Sequence, residues 1–311
     1  MSRSRLYREL KDVITHIEQH IEEPLSLEQI AELSAISKAH LSRMFKAMSG
    51  LSLAQYIRER KLAVSLSVLR ETDDKIIDIA LRFGFSYEQT YIRAFKQAFG
   101  ITPHQYRLEC PEVHFTSKLE LSTIVWLEKG LWLPPTCVRL PQFDLVSKSI
   151  SLSRTEVHSL WHSNLIDYLT FSTTHFEKKP KEAWGIAVRA LTQEKPVTYI
   201  TGLSKGFFLE HKYEVPQDHQ HLSIESSTYM AFKYIGNHGL EALTTLTLQE
   251  FTEDIIKTWY PVLGYTCTNP IKFVLDRYPL ESASRDYCEY FLYLPLSGKS
   301  TKLITYLSDN F

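Results

Sequence analysis

The sequence predicts a multidomain chain: an all-α N-terminal domain with two helix-turn-helix units, then an α+β C-terminal domain built from two similar halves. Three observations predict it. Residues 26–56 read SLEQIAELSAISKAHLSRMFKAMSGLSLAQY, and residues 75–106 read KIIDIALRFGFSYEQTYIRAFKQAFGITPHQY. The two runs share Ile30-Ala31 with Ile79-Ala80, Arg43-Met44-Phe45-Lys46 with Arg93-Ala94-Phe95-Lys96, and Gly50 with Gly100, with one residue inserted in the second copy. Helix-start signatures recur at Ser26, Ser52, Ser86 and Thr102, each followed three residues later by Gln. After Arg107 the helical period gives way to strand-like runs alternating with helical ones.

Taken in order, Leu6, Leu10, Val13, Ile14, Ile17 and Ile21 fall on one helical face and predict an opening helix that Pro24 ends. Ser26 begins a capping box for the next helix, which carries Ile30, Ala31 and Leu33. Residues 37–48 form its partner, with Leu41, Met44, Phe45 and Met48 inward. The spacing of Leu53, Ile57, Val64 and Val68 predicts a central helix over 52–70 that joins the two units. In the second unit Tyr91, Ala94, Phe95 and Ala98 point inward. Thr102-Pro103 opens a last helix with proline at its first position.

Residues 108–118 hold Pro111 and mixed polarity and read as a connection. Beyond it, 121–127 and 143–152 are β-rich, 157–176 is helical (Leu160, Trp161, Leu165, Tyr168, Leu169), and 184–190, 197–203 and 227–236 are strands. Residues 240–260 are amphipathic, and 271–278 with 287–296 close the chain. The order is strand, helix and strands, twice over, which predicts two similar halves.

Composition fits this division. The 311 residues are 44% hydrophobic and 23% charged, with a net charge of −1, enough for two ordinary domains. Residues 1–107 hold 16 Lys and Arg against 13 Asp and Glu, a net +3, while the remainder is −4. A basic first third beside an acidic remainder fits a nucleic-acid module joined to something else. Cys110, Cys137, Cys267 and Cys288 are widely spaced, without metal-ligand spacing, and read as reduced thiols of a cytosolic protein. No apolar run approaches the roughly 20 residues of a membrane span, and no targeting segment is evident.

The outward faces of the second helix of each unit carry the chemistry. Ala39, Ser42, Arg43 and Lys46 line one, and Glu88, Gln89, Ile92 and Arg93 the other. Arg pairs bidentately with guanine, Gln with adenine, and Glu accepts from the cytosine amine, so these short or forked side chains suit base edges in a major groove. A charged outer helix face is often only solvated. Here the arginine and lysine recur at one offset around the same phenylalanine, which suggests one role used twice. Lys11 and the Arg58-Glu59-Arg60-Lys61 cluster read as phosphate contacts or plain surface, and amides at the Ser26, Ser52 and Ser86 helix starts as further phosphate donors.

On PLSLEQIA (24–31), SKAHLSRMFK (37–46), QYIRERK (55–61), IALRFGF (79–85), QTYIRAFK (89–96) and TPHQYR (102–107), residues 4–107 resemble the DNA-binding domain of the AraC/XylS family, in its MarA–SoxS–Rob branch. The resemblance implies a regulator that binds double-stranded promoter DNA as a monomer, with recognition helices in successive groove segments about 34 Å apart. It also implies contact with RNA polymerase, and base contact by Arg43, Gln89 and Arg93. The sequence departs from that branch at Ala39, where Trp is common, at Ser42, where Gln is common, and at Glu88, which replaces Gln. The choice of operator therefore rests on Ala39, Ser42, Glu88 and Gln89.

The strands WGIA (184–187), YMAFKYIG (229–236) and CEYFLYLPL (288–296) resemble the GyrI-like (Rob C-terminal, BmrR-like) effector-binding domain over roughly 120–307. That family implies a pseudo-two-fold repeat whose central cleft takes amphipathic, often cationic, small molecules between aromatics and an acid. Its acidic position falls on Glu289, in an otherwise apolar strand. A buried carboxylate needs a partner, and a cation over aromatic faces is one. Trp184, Tyr229, Tyr290 and Tyr293 are the aromatic candidates. The alternative is that Glu289 faces solvent or pairs with Lys272, Arg277 or Arg285.

The expected organisation is a DNA-binding domain over 1–108, a linker over 109–119 and an effector domain over 120–311. The expected function is a cytosolic, nucleoid-associated transcription regulator, an activator of the stress or multidrug type. No hydrolase, P-loop, dinucleotide or metalloprotease motif is present, so no catalytic residue, metal or cofactor is expected. His211, His219 and His221 lie in a polar stretch and read as surface histidines. Two other readings of the second domain are a protein-docking module for RNA polymerase or gyrase and a small-molecule hydrolase.

Overall fold

Seven helices of the first unit follow the apolar spacing closely. The computed structural model describes residues 5–34, 36–127, 130–152, 176–188, 197–243 and 273–296, and the chain divides into units Met1–Glu128 and Lys129–Phe311. Helix α1 (Arg5–Gln19) buries Leu10, Val13, Ile14 and Ile17. It ends before Pro24, so Ile21 enters the core from the following turn. Then come α2 (Leu27–Glu32), α3 (Lys38–Ser49), α4 (Leu53–Glu71), α5 (Ile76–Arg82), α6 (Glu88–Phe99) and α7 (Pro103–Glu109).

Three of the four expected capping boxes form, at Ser26, Ser52 and Thr102. The fourth does not. Helix α6 is capped by Tyr87 without a side-chain hydrogen bond, so Ser86 lies one residue outside it. An unexpected cap stands at Ser37, whose hydroxyl accepts from the His40 amide. Helices α3 and α6 both end on glycine, Gly50 and Gly100, with φ of 76° and 78°. A Cβ at either would touch nothing within 4 Å, so the left-handed backbone, not space, requires glycine there.

The long helix α4 serves two cores. Leu41, Met44, Phe45, Leu53 and Tyr56 are buried in the first half. Leu62, Leu66, Leu69, Ile79, Phe83, Tyr91, Phe95 and Tyr106 cluster in the second. Tyr91 donates from its hydroxyl to Ser65 at 2.9 Å, fixing α6 on α4. The segment after α7 is held against α4: Arg60 Nη1 donates to the Thr116 carbonyl at 2.7 Å, Thr116 Oγ1 to Glu59 at 2.5 Å, and the Leu119 amide to Tyr56 Oη at 3.1 Å. The β-rich reading of 121–127 reduces to the two-residue strand β1 (Val125–Trp126).

The second unit is a sheet. Its strands are β2 (Gly130–Trp132), β3 (Thr136–Leu140), β4 (Phe143–Leu152), β5 (Glu182–Val188), β6 (Val197–Ser204), β7 (Gln220–Ile224), β8 (Ser227–Gly236), β9 (Phe273–Pro279) and β10 (Cys288–Pro295), with helix α8 (Lys205–His211) after β6. They lie in the order β2-β8-β10-β9-β5-β6-β4-β7, and β3 also pairs with β8. Strands β2, β3, β7 and α8 escape the sequence reading, because short edge pieces such as Gln220–Ile224 carry too few alternating residues to register. His211 therefore ends a helix and His221 lies on a strand, not in one polar loop. The helix expected over 157–176 lies outside the described residues up to 175, as do most of the amphipathic stretch over 240–260, residues 271–272 and Cys267; that amphipathic stretch begins as a 3-10 turn, Leu240–Ala242.

Candidate functional site

Helix α3 turns His40, Leu41, Met44 and Phe45 into the core. That choice of face leaves Ala39 and Lys46 exposed and Ser42 and Arg43 half-buried on the other side. Helix α6 repeats the arrangement. Tyr91 and Phe95 are buried, Gln89 and Arg93 are exposed, and Glu88 and Ile92 are half-buried. Every sequence-predicted residue on these two helices thus lies off the core face. One inward assignment is corrected, since Ala98 is exposed; Met48 and Ala94 are half-buried. Among the described residues Lys46, Arg93 and Lys96 make no ion pair, which leaves their charges available to a polyanion.

The basic cluster on α4 is not one surface. Arg60 and Lys61 are both 8% exposed. The Arg60 guanidinium grips Glu18, and Lys61 Nζ donates to the Glu23 and Phe83 carbonyls at 2.7 and 2.9 Å. Burial lowers the Lys61 pKa from its ordinary value. Both cations are internal struts; Arg107, half-buried, donates to the Leu69 and Asp74 carbonyls. Sequence reasoning missed this because the carbonyls and Glu18 that receive them come from distant turns.

In the second unit, strand alternation separates the effector candidates. Directly paired residues share a sheet face. The pairings Trp184↔Arg277, Phe291↔Arg277 and Pro295↔Tyr229 place Trp184, Tyr229, Glu289 and Tyr293 on one face. Tyr290, paired with Tyr234, is on the other. The five do not form one cage. On the first face Trp184 stacks on Tyr293 at 5.9 Å and Tyr229 meets Tyr293 edge-on at 6.1 Å, inside an apolar cluster with Leu145, Ile186, Ile200 and Leu275. Glu289 stands toward its border, accepting from the Tyr287 hydroxyl at 2.6 Å and from Lys233 Nζ at 3.1 Å. Lys233 is a partner that sequence proximity does not suggest; it belongs to β8, across the ladder.

Among the described residues the fully buried carboxylate is Asp276, on the opposite face and 0% exposed. It accepts from the Tyr290 hydroxyl at 2.5 Å and the Tyr199 hydroxyl at 3.4 Å. Burial, then the Asp276 charge, push the Tyr290 phenol well above its ordinary pKa, so it stays a proton donor. Tyr278 packs on Tyr290 at 5.1 Å, and Trp132 meets Tyr290 edge-on at 5.7 Å. Gly185 makes room for this group, since a Cβ there would lie 2.1 Å from the Tyr199 hydroxyl. The signal that singles out Glu289, a carboxylate in an apolar strand, also occurs at Asp276 in FVLDRYP.

A helix-turn-helix domain family model matches residues 30–109. Multiple antibiotic resistance protein MarA of Escherichia coli is 44% identical over 99 residues, which is 32% of this chain and 78% of that protein. Transcriptional regulator Rob of Salmonella typhimurium is 28% identical over 276 residues, 83% of this chain and 86% of its own. A solved AraC-type transcriptional regulator from Chromobacterium violaceum is 31% identical, covering 33% of this chain and 92% of that one, with a TM-score of 0.32.

Proposed function

Because this chain belongs to the AraC family of DNA-binding transcription regulators, in its MarA/SoxS/Rob type, we propose that α3 and α6 read two successive major-groove segments of a promoter. The observation that carries this is the repeat itself: Arg43 and Arg93 hold one position on two similar helices, off the core and beside exposed lysines. In this reading 1–108 is the DNA-binding domain, 109–119 its connection and 120–311 the effector domain. Arg43, Gln89 and Arg93 contact bases, and Ala39, Ser42, Glu88 and Ile92 shape the choice of sequence. The protein acts from the cytosol as a monomer on DNA and activates through RNA polymerase. Selection of bound sequences from random DNA by the full chain tests it. Two half-sites about 10 base pairs apart are expected, and recovery of a single half-site would remove the reading.

For the second unit we propose a GyrI-like sensor of amphipathic cations. The strand order supports it. Read from the central β9-β5 pair, β10 and β8 lie on one side and β6 and β4 on the other, so second, third and first strands of each half recur in mirrored order. That mirrored order supports a pseudo-two-fold repeat. The acid that fits such a ligand is Asp276 rather than Glu289, since it is wholly buried among Tyr199, Tyr278 and Tyr290, and aromatic faces beside a carboxylate receive an organic cation. A protein-docking module is the second reading. It draws on the same burial, because a ligand must displace packed side chains to reach Asp276.

A further inference from the structure

The first unit contains a groove lined by none of the residues assigned to base reading. It measures about 310 Å3 and runs between α4, the second half of α6 and the strap after α7. Leu62, Ala94, Ala98, Phe99 and Phe115 give it apolar walls, and Phe115 is half exposed to solvent. Arg58, Gln97 and His114 also line it. Among the described residues the side chains of these three make no hydrogen bond or ion pair, in contrast to Arg60 and Lys61 on the same helix as Arg58. The lining carboxylate, Glu59, already accepts from Thr116 Oγ1 at 2.5 Å. The groove therefore presents an uncommitted guanidinium, an imidazole and an amide beside the Phe99 and Phe115 rings.

We propose that this groove binds a small anionic amphipath, an aromatic carboxylate of one or two rings. Its carboxylate pairs with the Arg58 guanidinium, a geometry suited to two parallel hydrogen bonds, with His114 and Gln97 as further donors. Its rings lie against Leu62, Phe99 and Phe115. The volume is at the small end for ligand pockets, which excludes large polycyclic molecules. Of the two charged lining groups, Glu59 is engaged by Thr116 Oγ1 and Arg58, among the described residues, by no side chain, so a carboxylate finds the open partner in Arg58. A ligand here touches both the reading helix α6 and the strap at 114–116. The site is separate from the sheet cluster at Asp276 and takes the opposite charge.

The test uses the full-length protein and 2-naphthoate, read by calorimetry and by naphthoate fluorescence. Saturable one-to-one binding is expected. Arg58→Gln should weaken it about ten-fold, the loss of one charge-assisted pair. Ala98→Trp, which fills the groove from an exposed position, should abolish it, with thermal melts checking that both variants fold. Three outcomes overturn the proposal. One is no saturable binding by wild type. Another is binding that Asp276→Asn removes and Arg58→Gln does not, which places the ligand on the sheet. The third is an Arg58→Gln variant that loses DNA affinity yet binds naphthoate as wild type does, which makes Arg58 a phosphate contact.

Discussion

Arg60 and Glu18 form a two-pronged ion pair between α4 and α1, with Nε to Oε1 at 2.9 Å and Nη2 to Oε2 at 2.8 Å. Their side chains are 10% and 15% exposed. Tyr56 adds its hydroxyl to Glu18 at 3.2 Å, and the remaining arm of Arg60 holds the strap through Thr116. One guanidinium thus ties the opening helix, the central helix and the segment that leaves the domain. Removing one partner leaves the other charge largely buried. Arg60→Met is expected to cost about 3 kcal/mol in urea unfolding; a loss below about 0.5 kcal/mol would show the pair to be no more than a surface contact.

The same pair predicts a pH dependence. Burial acts to raise the Glu18 pKa, but hydrogen bonds and charge from Arg60 outweigh it, and the folded value is lowered. A depressed carboxyl contributes stability above its unfolded pKa and loses it as pH falls through the folded one. The difference in stability between wild type and Glu18→Gln should be full at neutral pH and narrow progressively below the ordinary carboxylate range. A gap that stays constant to pH 3 contradicts this.

Lys61 is a structural cation. Its ammonium satisfies the Glu23 and Phe83 carbonyls, and a Cβ on Gly84 would lie 3.0 Å from it. Lys61→Met keeps the stem and removes the donors, so about 1–3 kcal/mol of stability should be lost through unsatisfied carbonyls. Its DNA affinity, measured below the melting range, should stay within about two-fold of wild type, since the ammonium does not face solvent.

Arg43→Ala and Arg93→Ala should each weaken specific DNA binding by about 1–3 kcal/mol and relax preference at one base position. Neutral gel shifts for both would remove the base-reading role. Lys46→Ala and Lys96→Ala should instead weaken binding to all sequences alike and lower the salt dependence.

The two carboxylates of the sheet can be told apart by tryptophan. Trp132 is on the Asp276 side, touching Tyr290, and Trp184 on the Glu289 side, touching Tyr293. A hydrophobic cation such as tetraphenylphosphonium should quench fluorescence that Trp132→Phe removes, and Asp276→Asn should abolish the effect. Quenching lost only in Trp184→Phe and Glu289→Gln would return the acid role to Glu289.

Much of the first unit is written in local spacing. A helix needs only its own apolar stripe, its cap and its terminating glycine, so Leu10 to Ile17, the boxes at Ser26, Ser52 and Thr102, and Gly50 with Gly100 could be read without a fold. The box at Ser86 misled because Tyr87 follows it with an equally acceptable extended backbone. The outward positions Ala39, Gln89 and Arg93 were legible for the same reason: the repeat fixes which face is buried, and they are on the other.

What the sequence alone determined is therefore the helical framework, its duplication, and the β-rich character of the remainder. Tertiary structure decided whom each charge meets. Arg60 and Lys61 look like surface residues on α4, and only the arrival of Glu18, Glu23 and Phe83 from distant turns makes them struts. Glu289 and Asp276 look alike in their strands, and only sheet order gives one a lysine across β8 and the other a set of tyrosines. The physical reason is common to both. Secondary structure follows from neighbours a few residues away, whereas the stability of a buried charge depends on partners that the chain brings together only after it has folded.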